Sequence, residues 1–386
     1  MSGGGRQARG EIQGGIVTTK LKGYRELLDE VIDAGLCTLC GACVGACPYL
    51  VAHKGRVVLL DNCNLAEGQC YQYCPRTYMD MDAISQQAFG LPYAGDELGT
   101  TREVLMARST DACTRERTQY GGTVTTLLSV ALAEGLVDAA ILSRNEEDKP
   151  PGAFVARRVE EVLDCAGSNY MASPVLEGLN RIPRQSEERL ALVATPCQAL
   201  AVAKMKLNPP QNRVDIDNLK LTVGLFCTWA LSPDRFHRFL RENLDLPRVV
   251  KFDIPPPPAE RFDAYTASGR TSFPLDQIRS FVMSTCSFCL DMTAEFADVS
   301  VGSVEGIEGW NTVIVRTEAG AAIMERAKAS GNLETAALPQ ENLDHLKEAA
   351  LLKKVRALQQ ITERTGSRSD LLYLGLSAGV VDRLLG

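Results

Sequence analysis

Cys37-Thr-Leu-Cys40-Gly-Ala-Cys43-Val-Gly-Ala-Cys47-Pro48 decides how this chain is read. Its spacing is C-x2-C-x2-C-x3-C-P, that of iron–sulfur ligands. Such short intervals wrap a tight loop around one cubane, with backbone N–H groups turned toward its sulfurs. The fourth cysteine is carried away to a neighbouring cluster. A zinc ribbon would instead use two separated C-x2-C knuckles. Cysteines packed this closely, ending in Pro48, favour a cluster.

Downstream lies Cys63-Asn-Leu-Ala-Glu-Gly-Gln-Cys70-Tyr-Gln-Tyr-Cys74-Pro75. It resembles the second half of a two-cluster bacterial-type ferredoxin, but the second cysteine is absent and the spacing is one residue longer. By the crossed ligation of such ferredoxins, Cys37, Cys40, Cys43 and Cys74 hold one complete [4Fe-4S] cluster. Cys47, Cys63 and Cys70 are left with a site lacking one thiolate. It could be a [3Fe-4S] cluster, a cubane completed by Asp61, Glu67 or solvent, or empty. A third set is dispersed: Cys197 in Ala-Thr-Pro-Cys-Gln, Cys227 in Gly-Leu-Phe-Cys-Thr-Trp, and Cys286-Ser-Phe-Cys289. Cys197 and Cys227 each follow an expected buried strand, and such strand ends share one rim of an α/β sheet. Pro196 suits a helix start, whose positive end favours a thiolate. Cys113 and Cys165 show no partner pattern and read as ordinary buried cysteines.

Composition narrows the rest. The chain has 386 residues, 13 cysteines, 3 histidines and a formal charge of −7. That length allows two or three domains with real cores. The acidic balance argues against nucleic acid or an anionic membrane as main partner. No apolar run approaches the ~18 residues of a transmembrane helix, and Met1-Ser-Gly-Gly-Gly-Arg6 lacks a signal peptide's apolar core. Such a chain is expected to be cytoplasmic and to spend cysteines on metal rather than disulfides. His53, His237 and His345 are too scattered for a zinc or haem site, and no catalytic acid or base stands out.

Residues 1–20 read as a flexible tail and 21–95 as a ferredoxin-like region. A helix over 21–35 would bury Leu21, Tyr24, Leu27, Leu28, Val31 and Ile32. Residues 76–105 look like a connector broken by Gly90, Pro92, Gly95 and Gly99. Beyond it the pattern is α/β, with strands at 139–143, 190–194, 219–226, 296–302 and 312–316. Helices are expected at 124–136, 199–206 and 319–329, an extended loop at Pro255–Pro258, and helices from 341 onward.

Gln119-Tyr120-Gly121-Gly122-Thr123-Val124-Thr125 opens a helix, where paired glycines permit close backbone approach and the helix start accepts phosphate. Gly-Gly-Thr is also an ordinary cap, and no Rossmann fingerprint is present. Gly302-Ser-Val-Glu-Gly306-Ile-Glu-Gly309-Trp310 either lines a cofactor or joins a hairpin. Together with Gly-Ser-Asn-Tyr (167–170), Ala-Thr-Pro-Cys-Gln (194–198), the stretch 286–304 and Gly-Trp-Asn-Thr-Val-Ile-Val-Arg-Thr (309–317), these motifs resemble the coenzyme F420 hydrogenase/dehydrogenase beta-subunit family over about residues 100–350.

The resemblance implies an α/β (α+β) fold in which the ferredoxin-like region precedes a flavin and iron–sulfur core with mixed sheets and a helical C-terminus. Residues 96–185 would bind FAD, 186–340 would complete the cluster and flavin site, and 341–386 would form the terminal helices. FAD would be held by Gly121, Gly122, Thr123 and Thr125, by Gly167, Ser168 and Tyr170, and by Gly302, Ser303, Gly309 and Trp310. A cubane would sit on Cys197, Cys227, Cys286 and Cys289. The implied function is an electron-transfer subunit of a hetero-oligomeric oxidoreductase. Its FAD would exchange a hydride with coenzyme F420 or a nicotinamide and pass single electrons through the clusters to other redox subunits. Alternatives are an adaptor without its own hydride site and a structural iron–sulfur scaffold. Two departures weaken the case for the anionic F420: Asn169 where the family has lysine, and Glu305 where many members have glycine.

Overall fold

The structure is a computed structural model that describes residues 22–146, 149–168, 170–210, 213, 215–246, 249–255 and 259–386. The tail over 1–20, Leu21, Asn169 and Pro256–Pro258 lie outside the described residues.

In chain order the strands are β1 (Leu50–His53), β2 (Arg56–Leu59), β3 (Met79–Asp80), β4 (Glu103–Ser109), β5 (Ala139–Glu146), β6 (Lys149–Ala156), β7 (Leu190–Ala194) and β8 (Leu219–Leu225). They continue as β9 (Val249–Asp253), β10 (Arg261–Thr266), β11 (Gly269–Pro274), β12 (Val299–Ser303), β13 (Asn311–Val315), β14 (Leu333–Ala337) and β15 (Leu374–Gly375). The core is an eight-stranded mixed sheet in the order β14-β4-β13-β12-β8-β7-β5-β6. Its middle strands β12, β8, β7 and β5 are parallel. β7 (LALVA) and β8 (LKLTVGL) carry the apolar runs of strands covered on both faces. The helices Thr123–Ala133 and Glu318–Ala329 cover one face. The helices Leu176–Arg181 and Pro196–Leu207 cover the other. Antiparallel pairing adds β6 at one edge and β13, β4 and β14 toward the other.

The parallel step from β7 to β8 needs a crossover, supplied by the helix Pro196–Leu207. That helix starts where it should. Thr195 is the N-cap, Gln198 Oε1 accepts from Thr195 N at 2.8 Å, and Pro196 occupies the first turn.

The ferredoxin-like segment is seated on this core. Its entry helix runs as an α-turn Tyr24–Leu27 and a π-turn Leu28–Ile32, burying Tyr24, Leu27 and Val31. Gly41 lies against the start of the helix Leu176–Arg181, at φ +89, where a Cβ would meet Pro174 O at 2.5 Å and Glu177 N at 2.7 Å. Leu176 N donates to Cys40 O (3.1 Å), and Asn180 Nδ2 donates to the carbonyls of Gly41, Ala42 and Val44.

Several elements depart from the sequence expectation, among them β4, β14 and the helix Pro233–Asn243. The connector over 76–105 contains a helix, Met81–Phe89, capped by Asp80, whose carboxylate accepts from Ala83 N at 3.0 Å. β6 was not anticipated. Nor was the antiparallel sheet β11-β10-β9, which packs Phe252 and Phe262 on Phe236 and Phe239 of the helix Pro233–Asn243. At the C-terminus, the helix Gln340–Thr365 buries Lys354 beside Glu295, and β15 pairs in parallel with β3. Among the described residues no helix is long and apolar enough to cross a membrane.

Candidate metal and cofactor sites

All 13 cysteines are free thiols, and 11 of them fall into three groups. The first set is Cys37, Cys40, Cys43 and Cys74, around a cavity whose wall also includes Leu27, Val31, Ile32 and Val57. Burial pushes Cys40 up to about 12, reinforced by the Cys74 and Cys197 sulfurs and opposed by the Ala42 amide and the Thr38 hydroxyl. Burial likewise raises Cys37 to about 11 and Cys74 to about 11, the latter eased by the Lys204 ammonium. Cys43 is raised well above the thiol value by burial and by Cys37, Cys40 and Cys74.

The second set is Cys47, Cys63 and Cys70. Burial raises Cys70 to about 11, with the Cys47 and Cys63 sulfurs adding to it. Cys63 sits in an outward loop whose Leu60 and Leu65 are 63% and 68% exposed.

The third set forms where β7 and β8 end. These strands are adjacent and parallel, so Cys197 and Cys227 leave the same rim. Cys286 and Cys289 come from the turn Ser284–Phe288 and its cap. That turn is tied to the rim by Met283 N to Ala230 O (3.0 Å), Cys227 N to Met292 O (2.8 Å) and Ala230 N to Cys286 Sγ (3.3 Å). Burial raises Cys286 to about 11 and pushes Cys227 up further. Burial alone would also push Cys289 up, but the Lys353 ammonium and the Arg76 guanidinium outweigh it and hold it below the ordinary thiol value.

Among the described residues no group of His, Cys, Asp or Glu is placed to hold a single metal ion. A cubane spreads its thiolates over separate irons, so its ligands stand wider apart than those of one ion. Four thiols around a common cavity, with backbone N–H groups and cations beside them, fit a cluster's donor chemistry.

The glycine segments also converge. Gln119 Nε2 donates to Tyr170 OH (2.6 Å) and to Asp253 Oδ1 (2.7 Å), and Ile254 N donates to Tyr170 OH (3.0 Å). Thr123 N donates to Asn311 Oδ1 (3.2 Å), beside Trp310. Gly167 faces Arg117 O. Tyr120 and Tyr170 both have left-handed backbones, at φ 57 and 59, and such strain gathers at functional sites. Burial and the Asp253 carboxylate push Tyr120 up to about 12. Gly302 lies under the Phe226 ring, next to Cys227, so the glycine segments and the third set share one rim. Ser303 is exposed, and Arg108 stacks on Trp310 at 4.4 Å.

The two paired glycines have a nearer cause than a ligand. A Cβ on Gly121 would meet Ala107 O and Asn311 Oδ1, each at 2.8 Å. Gly122, at φ +71, would meet Thr118 Oγ1 at 2.8 Å. Thr123 and Thr125 are buried, and Thr123 Oγ1 donates to Ala107 O (3.0 Å). Open space lies instead at Gly306 and Gly309, both left-handed with nothing within 4 Å of a Cβ. Ser168 adjoins Gly167 in the same loop. Glu305 is engaged by His345 Nδ1 at 2.9 Å.

The sequence reading missed Arg76, Lys204, Arg213 and Lys353, the buried cations beside the cysteines. Only Arg76, directly after Cys74-Pro75, carried a signal.

Family models for the coenzyme F420 hydrogenase/dehydrogenase beta subunit match residues 104–180 (N-terminal part) and 187–341 (C-terminal part), and a 4Fe-4S binding domain matches 30–51. The coenzyme F420 hydrogenase subunit beta of Methanothermobacter thermautotrophicus is 35% identical over 273 residues, 69% of this chain and 96% of that one. The coenzyme F420-dependent sulfite reductase of Methanocaldococcus jannaschii is 28% identical over 88% of this chain, which spans 50% of that protein. A chain of the F420-reducing [NiFe] hydrogenase complex from Methanosarcina barkeri superposes with TM-score 0.64 at 32% identity, covering 70% of this chain and 94% of its own.

Proposed function

This chain belongs to the coenzyme F420 hydrogenase/dehydrogenase beta-subunit family, and from that premise we propose that it is the electron-input subunit of a hetero-oligomeric oxidoreductase, taking a hydride from reduced F420 on FAD and relaying single electrons through iron–sulfur clusters. When bound, FAD accepts two electrons together and releases them singly, and the clusters carry single electrons. The chain's own residues have three tasks. Tyr120, Tyr170 and Trp310 would face the flavin and its carrier. Gln119 fixes Tyr170 and Asp253 in place. The three cysteine sets would order the relay: third set beside the flavin segments, then first, then second.

One arrangement carries this reading. The Cys197 sulfur of the third set lies near enough to act on Cys37 and Cys40 of the first, while Cys70 of the second set acts on Cys43 of the first. The second set, whose Cys63 sits in the exposed loop, would face the redox partner. Anaerobically purified protein should contain bound flavin and iron, and the flavin should bleach with reduced F420. Trp310→Ala should lose flavin and keep iron. Bound flavin that no carrier reduces would leave an adaptor, and absence of flavin would overturn the proposal.

A further inference from the structure

Two buried arginines stand at the two gaps between cysteine sets. Arg76 is 4% exposed. It donates to Thr285 Oγ1 (3.2 Å) and O (3.2 Å), next to Cys286, and to Tyr373 OH. It shares a cavity wall with Cys197 and Cys289, and its charge also acts on Cys37 and Cys74 of the first set. Arg213 Nη1 donates to Ala42 O (3.2 Å), between Cys40 and Cys43, and to Asn180 Oδ1 (2.8 Å). Its guanidinium lies 5.4 Å from the centre of the Tyr73 ring and acts on Cys43, Cys47 and Cys70.

The two buried lysines differ. Lys204 Nζ donates to Cys74 O (2.8 Å) and Thr77 Oγ1 (2.8 Å), and its charge reaches Cys74 and Cys40 of the first set. Lys353 Nζ donates to Cys227 O (2.5 Å) and Asp291 O (2.7 Å), and its charge reaches Cys227, Cys286 and Cys289 of the third.

Resting on the cluster reading above, we infer that Arg76 and Arg213 are shared electrostatic positioning residues, each stabilising the reduced form of the two clusters it separates, whereas Lys204 and Lys353 each serve one. A reduced cluster carries one more negative charge, and a fixed cation in a buried site stabilises it strongly. Placed between two sites, the same cation raises both potentials together and leaves the difference between them little changed. Arginine suits a shared post because burial does not strip its proton and its fork can bond both sides.

The test is an EPR-monitored redox titration of the purified holoprotein, with iron counted in every sample. Arg76→Gln should shift the first and third clusters to more negative potential and leave the second in place. Arg213→Gln should shift the first and second only. Lys353→Gln should move the third alone, and Lys204→Gln the first alone. Arg76→Lys, which keeps the charge, should restore most of the shift and stands in should Arg76→Gln misfold. Full iron with arginine variants that shift one cluster or none overturns the inference. Wild-type protein without iron at these sets overturns the cluster reading instead.

Discussion

Cys197 and Cys227 come from strand ends far apart in sequence, yet β7 and β8 are neighbours, so both thiols reach one rim beside Cys286 and Cys289. At this scale the first two cysteine groups were legible in the sequence because their spacing is local. The sequence was silent about Arg213, Lys204 and Lys353, which reach the cysteines only through the fold. Cys286→Ala or Cys289→Ala should remove about four irons and spare the ferredoxin-like sets. Unchanged iron in both variants would refute the third set. Gly122→Val should destabilise the protein by about 1–3 kcal/mol, read as a lower urea midpoint. Its left-handed backbone and Thr118 already forbid a side chain there. Flavin loss in that variant therefore cannot be credited to a missing contact, and Trp310→Ala is the cleaner probe.

Elements were legible where one strong pattern ruled them. The strand over 190–194 and the helix over 319–329 fall where their apolar spacing placed them. The helix Met81–Phe89 was hidden by the glycines and proline that follow it, although Asp80 is a good N-cap. β9 to β11 were hidden because β11 is largely exposed and carries little apolar pattern. Two elements hold the site by single residues. Gly41→Ala should unseat the cysteine loop from the helix Leu176–Arg181, at a cost of about 1–3 kcal/mol from backbone strain before the clash with Pro174. Iron of the first two sets should then yield faster to a chelator than iron of the third. Lys354 anchors the helix Gln340–Thr365 through its buried pair with Glu295. Lys354→Met leaves a buried carboxylate and should cost about 3–5 kcal/mol, measured as a lower unfolding midpoint. Adding Glu295→Gln should recover part of it.

Across the whole molecule the ferredoxin-like segment is built into the core rather than tethered to it. Cys40, Ala42 and Tyr73 belong to the same packed cluster as Ile141, Leu192 and Ala199, and β3 pairs with β15 from the far end of the chain. Such contacts fix the distances between sets, which the proposed relay requires, and nothing local in the sequence announces them. The proposed order, from the flavin to the third set, the first and then the second, is open to one direct measurement. Holoprotein and its Cys286→Ala variant are mixed anaerobically with reduced F420 in a stopped-flow cell, following flavin and iron–sulfur absorbance. Wild type should bleach the flavin and then the clusters. The variant should bleach the flavin and leave the remaining clusters oxidised. Remaining clusters that are reduced at the wild-type rate would contradict the order.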